Sequence, residues 1–500
     1  MYALALTLAV LGYFFVAPVV KYFYDPKGLR KYPNFYLFSG ISDLPLIYES
    51  HNGFRSRNLL EAHKKHPVLR IGHGTSCIKD HFYSETAGSH AHLADVVDKK
   101  EHARKRKTLS SAYAAKNLEE WEFKVAAVSA KLIKAFDERC TDPLPPNQNP
   151  KKEDLTVEYR NWTVLWTAAA IANIGLSEDL GFLDKGSDRV KFESKDGTIK
   201  DVSFRECHTA TQTASFRIVW AYDWFPTLRR ISKVVSSGYR RLWQLDADWG
   251  GIVYNRATTR LKRYENNEKL DDFFTAMMED KNGLPNNLEW GEIVAEISIM
   301  MNAGHDTTAI SLRNALFFLL KTPDCLAKLR EELDEVLEEG EIVAPYGKVK
   351  HLPYLRACID ENLRMLPPIV FGLPRRTPIE GTSILNEYVA GDTSVSISSY
   401  VMHHQESVFK DNATYKPERW LGEEGKALQP YFISFSTGAR GCIGRNISYL
   451  EQTVLLASLV HRYEFALPHR DWDPPVREMS NLNPGPMPLK VWRRVTTVDT

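Results

Sequence analysis

The sequence predicts a mainly α-helical protein with small β-sheets, preceded by one transmembrane helix. An uncharged apolar run opens the chain, a long proline-free stretch runs from Asn287 to Lys321, and short β-branched runs flank a Gly-Asp turn toward the carboxyl end. With 500 residues and 43% hydrophobic composition, the chain has material for one large helical unit. Lys and Arg total 64 against 63 for Asp and Glu, which leaves no basic excess for wholesale nucleic-acid binding. Cys77, Cys140, Cys207, Cys325, Cys358 and Cys442 form no CxxC pair and no zinc spacing, so a reducing compartment suits the chain better than a disulfide framework.

Met1 to Val20 carries no charge, and as a helix it extends about 30 Å, one hydrocarbon thickness. Lys21, Lys27, Arg30 and Lys31 follow, and the positive-inside rule places them and the rest of the chain in the cytoplasm. A cleaved signal peptide ending near Ala17 is the competing reading, but no basic segment precedes the apolar run. The expected division is an anchor over 1–20, a polar hinge over 21–34 built on Asp25-Pro26-Lys27-Gly28 and Tyr32-Pro33, and one domain over 35–500. Asn161, Asn412 and Asn446 head glycosylation sequons that stay bare on the cytoplasmic side.

Pro143, Pro145, Pro146 and Pro150 keep Thr141 to Asp154 out of a helix, so that stretch is expected to be an exposed loop. The segment Asn287 to Lys321 reads as one long helix ended by Thr322-Pro323. Leu326, Leu329, Leu333 and Val336 recur at helical spacing, and Tyr354 to Leu366 forms a further helix. Tyr388-Val389-Ala390 and Ser394 to Ser398 read as strands around the Gly391-Asp392 turn. Ile447, Leu450, Val454, Leu455 and Val460 mark a helix after Cys442, and Tyr463 to Leu467 a closing strand.

The chemistry centres on Phe435-Ser436-Thr437-Gly438-Ala439-Arg440-Gly441-Cys442-Ile443-Gly444. An isolated cysteine is usually an inert small hydrophobe, but here the thiol stands between glycines that admit close backbone approach to something flat. A helix starting just after Cys442 points its positive end at the sulfur and favours the thiolate. Thiolate ligation of a haem iron pushes electron density onto the metal and favours O–O cleavage. Within the long helix, Ala303-Gly304-His305-Asp306-Thr307-Thr308 puts a glycine and two β-branched residues where helix propensity argues against them. Oxygen activation needs protons, which a carboxylate beside a hydroxyl can relay, and Thr307 can also bond back to a carbonyl of its own helix.

At every defining position the cysteine segment resembles the haem-binding loop of the cytochrome P450 family, and A-G-x-[DE]-T-T is met in full. The resemblance spans Tyr36 to Arg494 and is closest to fungal microsomal members of the benzoate para-hydroxylase type. It implies the cytochrome P450 fold, with haem b held by Cys442 as the metal ligand and a cradle that includes Phe435, Gly438 and Gly444. Arg440, Arg106 and Arg375 are the implied propionate partners. Arg376 is the alternative to Arg375, and His102 replaces a tryptophan of the family pattern. Asp306 and Thr307 are the implied proton relay. Glu361 and Arg364 with Arg419 of Pro417-Glu418-Arg419 form a buried ion network, and Ile299, Met300, Ala303, Ile369, Val370, Phe371 and Leu373 line the implied substrate pocket.

The implied reaction inserts one atom of O₂ into a lipophilic small molecule, with NADPH electrons delivered by a separate NADPH-cytochrome P450 reductase or with cytochrome b5. The setting expected is the endoplasmic reticulum membrane and fungal secondary metabolite biosynthesis. Benzoate-type aromatic hydroxylation in catabolism is the alternative. So is a haem-thiolate isomerase or dehydratase that does not use O₂, which the Asp306-Thr307 pair argues against, and a non-catalytic membrane haem protein ranks behind these. One departure from the family stands out. Ile71-Gly72 runs directly into His73-Gly74-Thr75, where related chains carry a strand hairpin and a short helix, which implies either a gene-model artefact or a reduced sheet at the substrate entrance.

Overall fold

The computed structural model describes residues 12, 16–71, 83, 88–110, 112–114, 119–194 and 196–495. Most of the expected anchor and the junction after Ile71 lie outside the described residues. Among the described residues no helix is long and apolar enough to cross a membrane. The chain enters through α1 (Ala17–Tyr24), and the expected hinge then docks on the body, where Lys27 pairs with Asp392 at 3.1 Å.

The helices that position the site are α2 (Leu44–Asn52), α3 (Lys99–Ser110), α4 (Glu122–Asp137), α5 (Tyr159–Leu176), α6 (Phe204–Phe216), α7 (Phe225–Val235), α8 (Ser237–Glu265), α9 (Trp290–Lys321), α10 (Pro323–Asp334), α11 (Pro353–Met365) and α12 (Arg445–Arg462). Helix α9 starts at a capping box between Glu289 and Glu292 and stops where Pro323 opens α10. Its 32 residues span about 48 Å. Helix α5 is apolar on nearly all sides and buried almost throughout, so it serves as the central post against which α4 and α9 pack. Gly304 makes the closest approach possible: a Cβ there would stand 2.7 Å from Cγ1 of Ile171 on α5. That explains a glycine in the middle of a long helix.

The sheets are small and antiparallel. Strands β1 (Val157–Glu158), β11 (Pro488–Arg493) and β8 (Tyr463–Ala466) pair in the order β1-β11-β8, β2 (Arg189–Glu193) pairs with β3 (Ile199–Ser203), and β9 (Val476–Glu478) with β10 (Leu482–Pro484). The expected hairpin around Gly391-Asp392 does not form. Instead β6 (Glu387–Val389) pairs back with β5 (Thr382–Ile384), and β7 (Ser394–Val395) pairs with β4 (Arg375–Arg376). Leu385 and Asn386 both take positive φ (52° and 63°), a tight two-residue hairpin turn that claims β6 first. Strand β7 is shorter than Ser394 to Ser398 because the Ser398 hydroxyl caps the next helix, accepting from Val401 N at 3.2 Å. The segment from Thr141 is a loop, as its prolines require, with one 3-10 turn at Lys152–Asp154.

Candidate active site

Cys442 sits at the mouth of α12, where two local choices of backbone place it. Ser436 and Gly438 take positive φ (57° and 66°), which folds the chain under itself, and Cys442 N donates to Phe435 O at 2.8 Å to close the loop. Helix α12 then begins at Arg445, so the backbone N–H groups of Gly444 and Arg445 turn toward the sulfur. Cys442 lines a cavity of about 800 Å³, which leaves it exposed by surface area although protein atoms surround it. Burial raises its thiol pKa, while the Gly444 N–H, the Arg106 and Arg445 charges and the Arg445 N–H oppose that rise.

The expected propionate partners converge on the same cavity. His102 and Arg106 reach it from α3, Arg375 from β4, and Arg440 from the cysteine loop. Each arginine is held from behind by backbone carbonyls: Arg106 donates to Gly441 O at 2.8 Å, Arg375 to Pro374 O at 2.9 Å, and Arg440 to Val96 O and Val97 O at 2.8 and 3.1 Å. These guanidiniums therefore keep charge that no carboxylate neutralises in these bonds. Arg376 instead pairs with Asp392 at 2.7 Å, so Arg375 is the one of the pair that the fold offers to the cavity. Gly444 leaves room beside the thiol, since an added Cβ would meet only Tyr113, at 3.9 Å. A thiol on the floor, cations at the rim and a cavity of this size fit a haem, whose iron Cys442 would ligate and whose carboxylates the arginines would pair.

Above the thiol, α9 contributes Ile299, Met300, Ala303 and Thr307 to the lining, and the chain after α11 contributes Ile369, Phe371 and Leu373. Val370 does not line the cavity. It is fully buried on the other side of its segment, among Phe54, Ile310, Leu366, Tyr400 and Leu482. Side chains alternate along an extended stretch, so 369, 371 and 373 share one direction and 370 takes the opposite.

Thr307 bonds back to Ala303 O at 2.8 Å. Asp306, its neighbour, turns away from the cavity. One carboxylate oxygen accepts Asn481 Nδ2 at 2.7 Å and Gln212 Nε2 at 3.3 Å, and both of those amides line the cavity. Burial alone would raise the Asp306 pKa, but His208, His305, the Asn481 bond and Arg160 together hold it below the ordinary carboxylate value. His208, His305 and Asp306 are the single group among the described residues able to approach a metal ion together. Their ligating atoms all lie within 4.8 Å of one another, and Asn302, Gln212 and Asn481 hydrogen-bond into the same cluster.

Beneath the cysteine loop, Glu361 is fully buried and shared. Its oxygens accept Arg364 Nε and Nη2 at 2.8 and 2.9 Å, Arg419 Nε at 2.9 Å, Trp420 Nε1 at 2.9 Å and Lys416 N at 3.0 Å. The Glu361–Arg364 bonds join residues three apart on α11, and Arg419 arrives from Pro417–Trp420.

Periodicity and motif reading missed His208, Gln212, Asn481 and Glu451. The first three lie in segments without a motif, and only the fold brings them to Asp306. Glu451 had a signal: it falls four after Ile447 and three before Val454, on the apolar stripe of α12, where a carboxylate has no ordinary reason to be.

The cytochrome P450 family model matches residues 74–491. The chain is 27% identical over 500 aligned residues to the benzoate 4-monooxygenase bphA of Aspergillus niger, covering 93% of this chain and 92% of that one. It is 26% identical to the cytochrome P450 monooxygenase efuB of Hormonema carpetanum, covering 92% and 91%. Among solved structures, the cytochrome P450DA haem domain superposes with a TM-score of 0.66 at 18% identity, covering 84% of each chain, which shows a shared fold.

Proposed function

The chain belongs to the cytochrome P450 family of monooxygenases, and on that premise we propose that it hydroxylates or otherwise oxidises a lipophilic small molecule with O₂ and NADPH-derived electrons. One observation carries the reading: Cys442 lines a cavity whose rim is set with Arg106, Arg375 and Arg440. Haem b, when bound there, supplies the capacity to activate oxygen, and its thiolate ligand favours O–O cleavage. The chain's own residues do the rest. The arginines pair the carboxylates of the cofactor, the amides of Gly444 and Arg445 stabilise the sulfur's charge, and Ile299, Ala303, Ile369, Phe371 and Leu373 exclude water around an apolar substrate. Asp306, held by hydrogen bonds from the Asn481 and Gln212 amides, is the carboxylate that holds a proton behind the cavity, and Thr307 on the cavity wall is the hydroxyl that presents one to the site.

Electrons come from a separate NADPH-cytochrome P450 reductase, with cytochrome b5 as an accessory donor, and the pathway is fungal secondary metabolite biosynthesis. Benzoate-type aromatic hydroxylation is the second reading, favoured by the bphA relative aligned over nearly all of the chain. The enzyme is anchored to the endoplasmic reticulum membrane by residues 1–20 with the catalytic domain in the cytoplasm. Exposed apolar side chains support this reading: Val20, Phe23 and Tyr24 on α1, Leu44 and Tyr48 on α2, and Val234 and Val235 on α7.

The test is expression of the full chain with a reductase, followed by the ferrous carbon monoxide spectrum and by screening of benzoate, related aromatic acids and the metabolites of a deletion strain. A thiolate-type spectrum and a new NADPH-dependent oxygenated product are expected. A folded, porphyrin-supplied protein without that spectrum overturns the reading, and product formation without NADPH replaces it with isomerase chemistry.

A further inference from the structure

Asp306 fixes the orientation of two amides on the cavity wall. Held below the ordinary carboxylate value, it is ionised and can only accept hydrogen bonds, so Gln212 and Asn481 must turn their NH₂ ends to it, at 3.3 and 2.7 Å. Gln212 Nε2 also lies 3.1 Å from His208 Nε2, which holds the same end of the amide in the cluster. The other ends are two carbonyl oxygens, Gln212 Oε1 and Asn481 Oδ1. Neither takes part in a hydrogen bond among the described residues, and neither is sealed inside the protein without a partner. Both side chains line the cavity, so these oxygens open on it. Both are carried on fixed backbone. Gln212 stands on α6, and Asn481 in the short turn between β9 and β10, where Glu478 N donates to Gly53 O at 3.1 Å and Leu482 N to Pro368 O at 2.7 Å.

The charges on the wall narrow the ligand further. Among the described residues no lysine lines the cavity, and its arginines are Arg106, Arg375 and Arg440, which pair the carboxylates of the cofactor in the monooxygenase reading. The acids Asp246, Glu296 and Glu451 do line it. A carboxylate substrate set against the two amide oxygens would therefore be a buried anion facing acceptors, with no arginine or lysine left to pair it. We propose that the substrate is a neutral lipophilic molecule carrying a hydroxyl or N–H group, which donates to Gln212 Oε1 or Asn481 Oδ1 and so fixes the carbon presented for oxidation. The proposal rests on the monooxygenase reading and names its substrate class, against the benzoate alternative. Such a pair selects by penalty as well as by attraction, because a ligand without a donor covers the two oxygens and leaves them unpaired.

The experiment titrates full-length, haem-loaded wild type, Asn481→Ala and Gln212→Met with N-methylbenzamide, methyl benzoate and benzoate, and reads binding from the haem absorbance. The first two ligands are isosteric and differ by an N–H in place of an ester oxygen. The affinity ratio of amide to ester is expected to fall about tenfold from wild type to Asn481→Ala and in the same direction in Gln212→Met, and benzoate is expected to be the weakest of the three on the wild type. Each variant also takes one N–H from Asp306, a loss that bears on turnover of every ligand alike and does not move the ratio. Gln212→Met covers the case in which Asn481→Ala does not fold. A ratio unchanged in both variants overturns the proposal, as does a wild type that binds benzoate more tightly than the amide. The ferrous carbon monoxide spectrum of each protein separates the two readings. If the folded wild type lacks the thiolate-type spectrum, the monooxygenase reading falls and this proposal with it, whereas an unchanged ratio in proteins that show the spectrum overturns this proposal alone.

Discussion

His403 accepts the backbone N–H of Ile433 on Nε2 at 2.9 Å, while its own carbonyl receives Arg364 Nη1 at 2.8 Å. Ile433 stands at the start of the cysteine loop, so the buried Glu361–Arg364 pair reaches the thiol through one imidazole and one strand of backbone. The ion network is therefore a mount for the ligand and has no contact with the cavity. Arg364→Ala takes one of its two cations from the buried Glu361, leaving Arg419, Trp420 and Lys416 to hold the carboxylate, at a cost of about 3 kcal/mol. The expected result is protein with a lowered unfolding temperature and little haem per chain. His403→Leu leaves only the Ile433 N–H unpaired, about 1–3 kcal/mol, and is expected to retain haem with a weakened thiolate spectrum. Full haem content in Arg364→Ala contradicts the mount.

The alternation at Ile369-Val370-Phe371 separates stability from substrate binding in adjacent residues. Val370→Ala opens a hole in a packed cluster and is expected to cost about 2 kcal/mol in denaturant unfolding with substrate affinity unchanged. Phe371→Ala, on the cavity wall beside Phe216 and Trp220, is expected to leave stability closer to wild type and to change which aromatic acids shift the haem spectrum. The reverse pattern would place Val370 at the substrate.

What the sequence made legible follows the range over which each signal acts. Cys442, Gly438 and Arg440 form a local motif within one turn of chain, and their geometry needs little beyond themselves. Glu361 and Arg364 are three apart on one helix, so their pairing was readable, whereas their link through His403 to Ile433 joins segments dozens of residues apart and was not. The β6 and β7 strands were readable as strands but not as partners, because Leu385-Asn386 is an uncommon pair for a turn with positive φ at both positions. Val370 shows the limit of motif transfer: a family pattern marks a segment, while the backbone decides which of its side chains face the cavity.

Acid stability depends on the buried histidines. Burial, with Arg364 beside it, holds His403 down to about 3, and burial with His208 does the same for His305. Between pH 6.5, the ordinary histidine value, and about 3, the unfolded chain binds protons that the fold refuses, so stability is lost as pH falls through that window. About 1.4 kcal/mol of stability goes with each tenfold weakening of proton binding in the fold. His403→Gln, which keeps an acceptor for Ile433 and cannot charge, is expected to flatten the fall of melting temperature below about pH 6. An unchanged acid limb would remove His403 from the account.

Glu451 works in the opposite direction. It is fully buried on α12, neither carboxyl oxygen has a hydrogen-bond partner by geometry, and it lines the cavity. Burial outweighs the nearby Thr308 hydroxyl and raises its pKa to about 8. Unfolded, the same carboxyl titrates at 4.5, so between 4.5 and about 8 the native state holds a proton that the unfolded chain has released. Stability from this group is complete at low pH and is lost as pH rises toward 8, by on the order of 3–5 kcal/mol across the window. Glu451→Gln keeps the shape and removes the titration. It is expected to match the wild type near pH 4.5 and to exceed it in melting temperature at neutral pH and above. A variant no more stable than wild type at pH 8 would mean that water or another group satisfies the carboxylate, and that the residue ionises like an ordinary glutamate.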